Sequence, residues 1–140
     1  MAHKRVRDEF SPELANLYNR RREINVEIEA LEKNAAKVYY ESMQMEVDNM
    51  MHGIANTELN KELDFYYNSY NNSPDTTFEL MMRGMQQHML AYEIFDKIPY
   101  EKWDKYFEAI YEQCDLLLDS SIEQDEFDGN RWDIVDEANE

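Results

Sequence analysis

Between Pro12 and Gly53 the chain has neither glycine nor proline, and that unbroken stretch limits its possible folds more than any other feature. Ser11-Pro12-Glu13 reads as a helix start: a serine oxygen caps free amides, proline suits the first helical position, and an early acid complements the dipole. From there an apolar repeat of three and four residues runs onward. In heptad terms Leu14, Arg21, Ile28 and Ala35 share one seam position, and Leu17, Ile24, Leu31, Val38 and Met45 share the other. The spacing predicts one helix over about 12–52, ~40 residues and ~60 Å long. A compact domain of this size cannot cover such a helix by itself, so the seam is expected to pack on a later helix or on the same helix of a second chain. Leu17, Arg21, Ile24, Ile28, Leu31 and Val38 are therefore the candidate self-association residues, and a homodimer is the assembly they suggest. Arg21 stands out because a polar residue in a seam fixes register or partner at some cost in stability.

Shorter helices are expected to follow. Asn56-Thr57-Glu58 can cap a second helix over about 57–70, with Leu59, Leu63, Tyr66 and Tyr70 on one side. Asn71-Asn72-Ser73-Pro74-Asp75 is the clearest loop, since each residue favours turns or caps. A third helix over about 76–96 carries Phe78, Met81, Met82, Met85, Met89 and Tyr92, and its lone Gly84 suggests close approach of another helix. Pro99 opens a fourth over about 100–120, with Trp103, Phe107, Ile110, Tyr111, Cys114 and Leu117 as its stripe. The predicted fold class is all-α: a long coiled-coil-like N-terminal helix plus a small bundle of three or more further helices. Its organisation is a basic arm over 1–10, a helical domain over 11–121 and a loosely held acidic tail over 122–140. The 140-residue length suits one domain with an arm, and only 3 Gly and 3 Pro argue against a turn-dense β fold.

The formal charge is -17, and it is unevenly placed. Residues 1–40 are close to neutral, whereas from Tyr106 to Glu140 a single arginine, Arg131, faces twelve Asp or Glu. Such a surface repels DNA, RNA and anionic membrane and attracts basic protein surfaces at a distance. Its acids, Asp104, Glu108, Glu112, Asp115, Asp119, Glu123, Asp125, Glu126, Asp128, Asp133 and Asp136, are the candidate partner-binding residues. Trp132 joins them because, with Ile134 and Val135, it can lock a terminal helical turn onto a partner. With 43% hydrophobic residues the chain still has material for a core, so acidity here does not imply disorder.

Chemistry-bearing motifs are weak. Met81, Met82, Met85, His88 and Met89 offer soft ligands at helical spacing, but methionine fills helical cores so readily that packing is the better account. His52, beside Met50 and Met51, is expected near the first helix's C-terminus, where its cation is favoured. Asp125, Asp128, Gly129, Asp133 and Asp136 fail as a calcium loop. Placing Gly129 sixth puts Gln124 first and Val135 twelfth, where Asp and a bidentate Glu are required. Cys114, the single cysteine, lies in an apolar stripe and reads as a buried small hydrophobe. Lys4, Arg5, Arg7 and Arg20-Arg21-Arg22 have acids beside them and read as solvated faces. No catalytic residue, cofactor or metal is expected. No apolar run approaches the ~18 residues of a membrane span, and the expected compartment is the cytoplasm.

Ile110-Tyr111-Glu112-Gln113, followed by the acid-and-leucine stretch Asp115 to Asp119 amid many Tyr, Met and Asp, resembles the phage-encoded acidic inhibitors that mimic DNA, particularly the helical anti-restriction type. Anti-CRISPR proteins are similar in size and sometimes in acidity. The resemblance implies a non-enzymatic inhibitor, acting in an infected bacterial host, that occupies the nucleic-acid-binding site of a basic protein. The alternative is a helical assembly or scaffolding adaptor that works through its coiled-coil helix, its acidity serving solubility alone.

Overall fold

A computed structural model describes residues 11–140. The basic arm expected over 1–10 lies outside the described residues. The elements in chain order are α1 (Pro12–Val47), α2 (Gly53–Asn72), α3 (Phe78–Phe95), a 3-10 turn (Tyr100–Lys102), α4 (Trp103–Leu118) and α5 (Gln124–Ala138), with no strand among the described residues. The fold is all-α, a long first helix followed by a bundle of further helices.

The chain divides into two units, Met1–Lys37 and Val38–Glu140. What is described of the first is the leading part of α1. Its cap is the one the sequence implies, with the Leu14 amide donating to Ser11 Oγ at 3.2 Å. Leu17, Ile24, Ile28 and Leu31 are exposed there, and the Arg21 guanidinium lies 4.7 Å from the Tyr18 ring one turn back.

In the second unit the last turns of α1 bury Met43 and Val47 and leave Val38 and Met45 exposed. A different stripe from the heptad seam thus faces the bundle. Tyr40 stacks on Tyr67 with 4.3 Å between ring centroids, and its hydroxyl donates to Asp64.

The bundle is laid down in chain order, each helix antiparallel to the last. The α2 residues Ala55, Leu59 and Leu63, one turn apart, are fully buried. So are Met81 and Met85 of α3, while Met89 and Tyr92 are nearly so, which makes the methionine stripe part of the core. Gly84 is where α2 comes closest: a Cβ there would stand 2.3 Å from the Tyr66 ring, so only glycine lets the ring lie flat on the helix. Phe95, Ile98, Ile110, Cys114 and Phe127 complete the interior.

Two boundaries differ from the sequence reading. The first helix stops at Val47 and the second begins at Gly53, not near 52 and 57. A distant residue holds the intervening turn: the Asp96 carboxylate accepts from the Met51 amide at 3.0 Å and the His52 amide at 2.6 Å. His52 accordingly stands at the N-cap of α2, not in the last turn of α1. The larger correction concerns the tail. Gln124–Ala138 is a helix docked on α4, with Phe127, Val135 and Ala138 buried. The Lys102 ammonium donates to the Ala138 carbonyl at 2.6 Å, and the Asn139 amide group donates to the Lys97 carbonyl at 2.9 Å, tying the C-terminus down. Val135, expected to reach out to a partner, instead faces the bundle.

Candidate protein-binding surface

The acidic surface is carried by α4 and α5, which lie antiparallel with Asn130 donating to Gln113 at 2.8 Å. Each helix is amphipathic for the same reason: its apolar residues recur at helical spacing on the inward side, so the acids between them turn outward. On α4 the inward side holds Trp103, Tyr106, Ile110 and Cys114. Asp104, Glu108 and Glu112 follow one another at intervals of four and are all exposed, forming a stripe with ~6 Å of helix between successive carboxylates. On α5 Asp125, Glu126, Asp133, Asp136 and Glu137 are exposed. The separations 125 to 136 and 126 to 137 span three turns, which returns each pair to one outer face. Asp125 and Glu126 also lie in the first turn, where the positive end of the helix dipole favours them. Glu123, the N-cap residue of α5, is exposed as well.

Three of the expected partner-binding acids have internal duties instead. Arg83 of α3 bridges Asp115 at 3.1 Å and Asp119 at 3.0 Å, and Gln87 donates to Asp115 at 2.5 Å. These carboxylates fasten α3 to α4. Asp128 meets Arg131 at 3.1 Å and accepts from Gln124 at 3.0 Å, both within α5. The remaining acids of the set have no ion pair among the described residues, so their field points outward. Trp132 is 49% exposed, with the Lys97 ammonium 5.0 Å from its ring.

Sequence reasoning missed a polar cluster in the bundle. His88 Nδ1 lies within hydrogen-bond distance of the Tyr111 hydroxyl, at 2.8 Å, and Nε2 lies 3.4 Å from a Glu62 carboxylate oxygen. Burial pushes the His88 pKa down against the opposing pull of Glu62, and burial raises Tyr111 well above the usual phenol range, with Tyr92 and Glu62 adding to it. In its neutral form the imidazole can bond both neighbours at once, one ring nitrogen donating and the other accepting. The cluster joins α2, α3 and α4. Its only sequence signal was a lone histidine among methionines.

Cys114 is fully buried, and burial, aided by Asp115, pushes its thiol up to about 12. It is held as an inert thiol, without the thiolate that nucleophilic chemistry requires. No group of three or more His, Cys, Asp or Glu among the described residues is placed to hold a metal, and no described helix is long and apolar enough to cross a membrane. No family model matches the chain, and neither a curated protein nor a solved structure was found to be similar to it.

Proposed function

We propose that the protein acts by binding, as a non-enzymatic acidic inhibitor that occupies the nucleic-acid-binding surface of a basic partner in the manner of a DNA mimic. The setting that suits this reading is counter-defence by a phage in the cytoplasm of a bacterial host, with a restriction or CRISPR component as target. The observation that carries it is the pair of outward carboxylate rows on packed helices, Asp104-Glu108-Glu112 on α4 and Asp125, Glu126, Asp133 and Asp136 on α5. Rows of fixed charge on a folded frame compete for a groove built for phosphates, because the groove's cations need not distinguish carboxylate from phosphate oxygens. Charge of one sign also speeds encounter with a complementary surface, an effect that salt screens over ~10 Å at 0.1 M.

The test is capture of a partner from bacterial lysate on the immobilised protein, followed by competition with duplex DNA. A partner displaced by DNA, whose association slows steeply with salt and with Glu108, Glu112, Asp125, Glu126, Asp133 and Asp136 changed to Gln or Asn, supports the reading. Equal association rates for both forms at every salt concentration would reject it.

A second reading is favoured by a separate observation. Large apolar residues along one side of α1, Leu17, Ile24, Ile28, Leu31, Val38 and Met45, are exposed in the chain. Coiled-coil pairing covers such a seam, so an assembly adaptor built on a homodimer accounts for α1 as the mimic accounts for α4 and α5.

A further inference from the structure

Beside the acidic stripe of α4 lies an open cavity of ≈ 280 Å3 whose walls are Tyr92, Phe95, Tyr100, Trp103 and Phe107. Tyr92, Phe95 and Trp103 are core rings at most 8% exposed, so the open part of the cavity is bounded by Tyr100 and Phe107. Tyr100 stands at 71° to Trp103 with centroids 5.0 Å apart, and Tyr92 stands at 84° to Trp103 at 5.9 Å. Phe95 supports Trp103 from 4.9 Å, and the indole is fixed by its N–H donating to the Ile98 carbonyl at 3.3 Å. Tyr100 and Phe107 remain 55% and 48% exposed despite their size.

Glu101 and Asp104 line the same cavity, as does Glu58, which also meets Lys61 at 3.6 Å. Aromatic faces carry negative potential, so the exposed rings of Tyr100 and Phe107 beside these carboxylates suit an organic cation. Elsewhere the chain supplies that cation itself: Lys97 over Trp132, Lys105 over Tyr106 at 5.4 Å and Arg131 over Phe127 at 5.8 Å. No Lys or Arg among the described residues lies over Tyr92, Tyr100, Trp103 or Phe107.

We propose that this cavity receives the cationic head of an arginine or lysine side chain from the partner protein. It gives the diffuse attraction of the acidic stripe one fixed anchoring point, Asp104 belonging to both. The inference rests on the reading of a basic partner, yet it is testable without one. The probe is the acetylated, amidated peptide Gly-Gly-Arg-Gly-Gly, with lysine and neutral citrulline versions and free methylguanidine alongside. The readout is the NMR shift of the Trp103 indole N–H, separated from Trp132 by Trp132→Phe.

The arginine or lysine peptide should shift the Trp103 signal, and citrulline should bind about tenfold more weakly. Tyr100→Ala should abolish the shift. The pair Glu101→Gln and Asp104→Asn, which leaves the rings in place, should weaken binding several-fold with the spectrum otherwise folded. No shift, equal response to citrulline, or full binding by the Glu101→Gln, Asp104→Asn protein would overturn the assignment. Tighter binding of methylguanidine than of either peptide would overturn it in favour of a free small cation. None of these outcomes alters the lysate and competition experiment, so the two readings fail separately.

Discussion

Replacing Ile24 and Leu31 by Asp separates the fold of the chain from its pairing. In the single chain these side chains are 53% and 70% exposed, so each contributes less than half of the roughly 1.5–3 kcal/mol that full burial of such a residue provides. Asp is also a poorer helix former by a few tenths of a kcal/mol at each site. The double variant should unfold at a urea concentration corresponding to a loss of about 1 kcal/mol, with helical circular dichroism nearly unchanged. Pairing through the seam changes the arithmetic. Two residues on each of two copies then lose roughly 1–1.5 kcal/mol apiece, about 4–6 kcal/mol in all, which is three to four decades in dissociation constant. Sedimentation equilibrium from about 1 to 200 µM reads this directly, since a dimer is expected for the natural sequence and a monomer for the variant. Arg21 sharpens the test. A parallel in-register pair would set two guanidinium groups against each other in the seam, whereas an antiparallel pair separates them, so Arg21→Leu should tighten association in either case. A natural chain that stays monomeric throughout, or a variant of unchanged mass, would show that the exposed stripe does not pair.

Three further outcomes follow from the bundle. Gly84→Ala should destabilise by about 1–2 kcal/mol, the overpacking against Tyr66 outweighing the helix propensity gained; in a Tyr66→Leu background the same change should become neutral or stabilising, as urea midpoints will show. Burial lowers the His88 pKa below its unfolded value of about 6.5. Its contribution is therefore present above that pH and lost as pH falls through the folded value. His88→Gln should shrink the drop in stability between pH 7.5 and 5, and the comparison cancels Glu93, whose burial-raised pKa acts in the opposite sense. Cys114, buried and pushed up to about 12, should react with a thiol reagent only as fast as the bundle opens, so urea should accelerate labelling in step with unfolding.

Local signals were legible in the sequence where local chemistry decides the outcome. Ser11 caps α1, and Gly84 marks the close approach to α2. Features set by distant residues were not legible. The turn after Val47 depends on Asp96, more than forty residues away in the chain. The terminal helix was hidden because one inward position is filled by Arg131, whose guanidinium lies over Phe127, and a charged residue there breaks the apolar count. Among the acids, composition cannot separate Glu112, which faces solvent, from Asp115 three residues on, which Arg83 holds. The aromatic cavity draws its rings from α3, the 3-10 turn and α4, and no single stretch of sequence announces it.

From residue 41 onward there are only six Lys and Arg, and every one is engaged within the chain. Arg83 joins Asp115 and Asp119, Arg131 joins Asp128, and Lys61 joins Glu58. Lys97 and Lys105 lie over aromatic rings, and Lys102 closes the last turn of α5. The carboxylates of α4 and α5 that remain have no ion pair among the described residues, so folding and binding should answer salt in opposite directions. Raising sodium chloride from about 50 to 500 mM shortens the screening length from roughly 14 to 4 Å. Self-repulsion among the acids then weakens and the melting temperature should rise, while association with a basic partner should slow. The α1 pairing, being apolar, should hold or strengthen under the same change. A binding rate that does not fall with salt, measured beside a melting temperature that rises, would mean that the acids only repel one another and take no part in recognition.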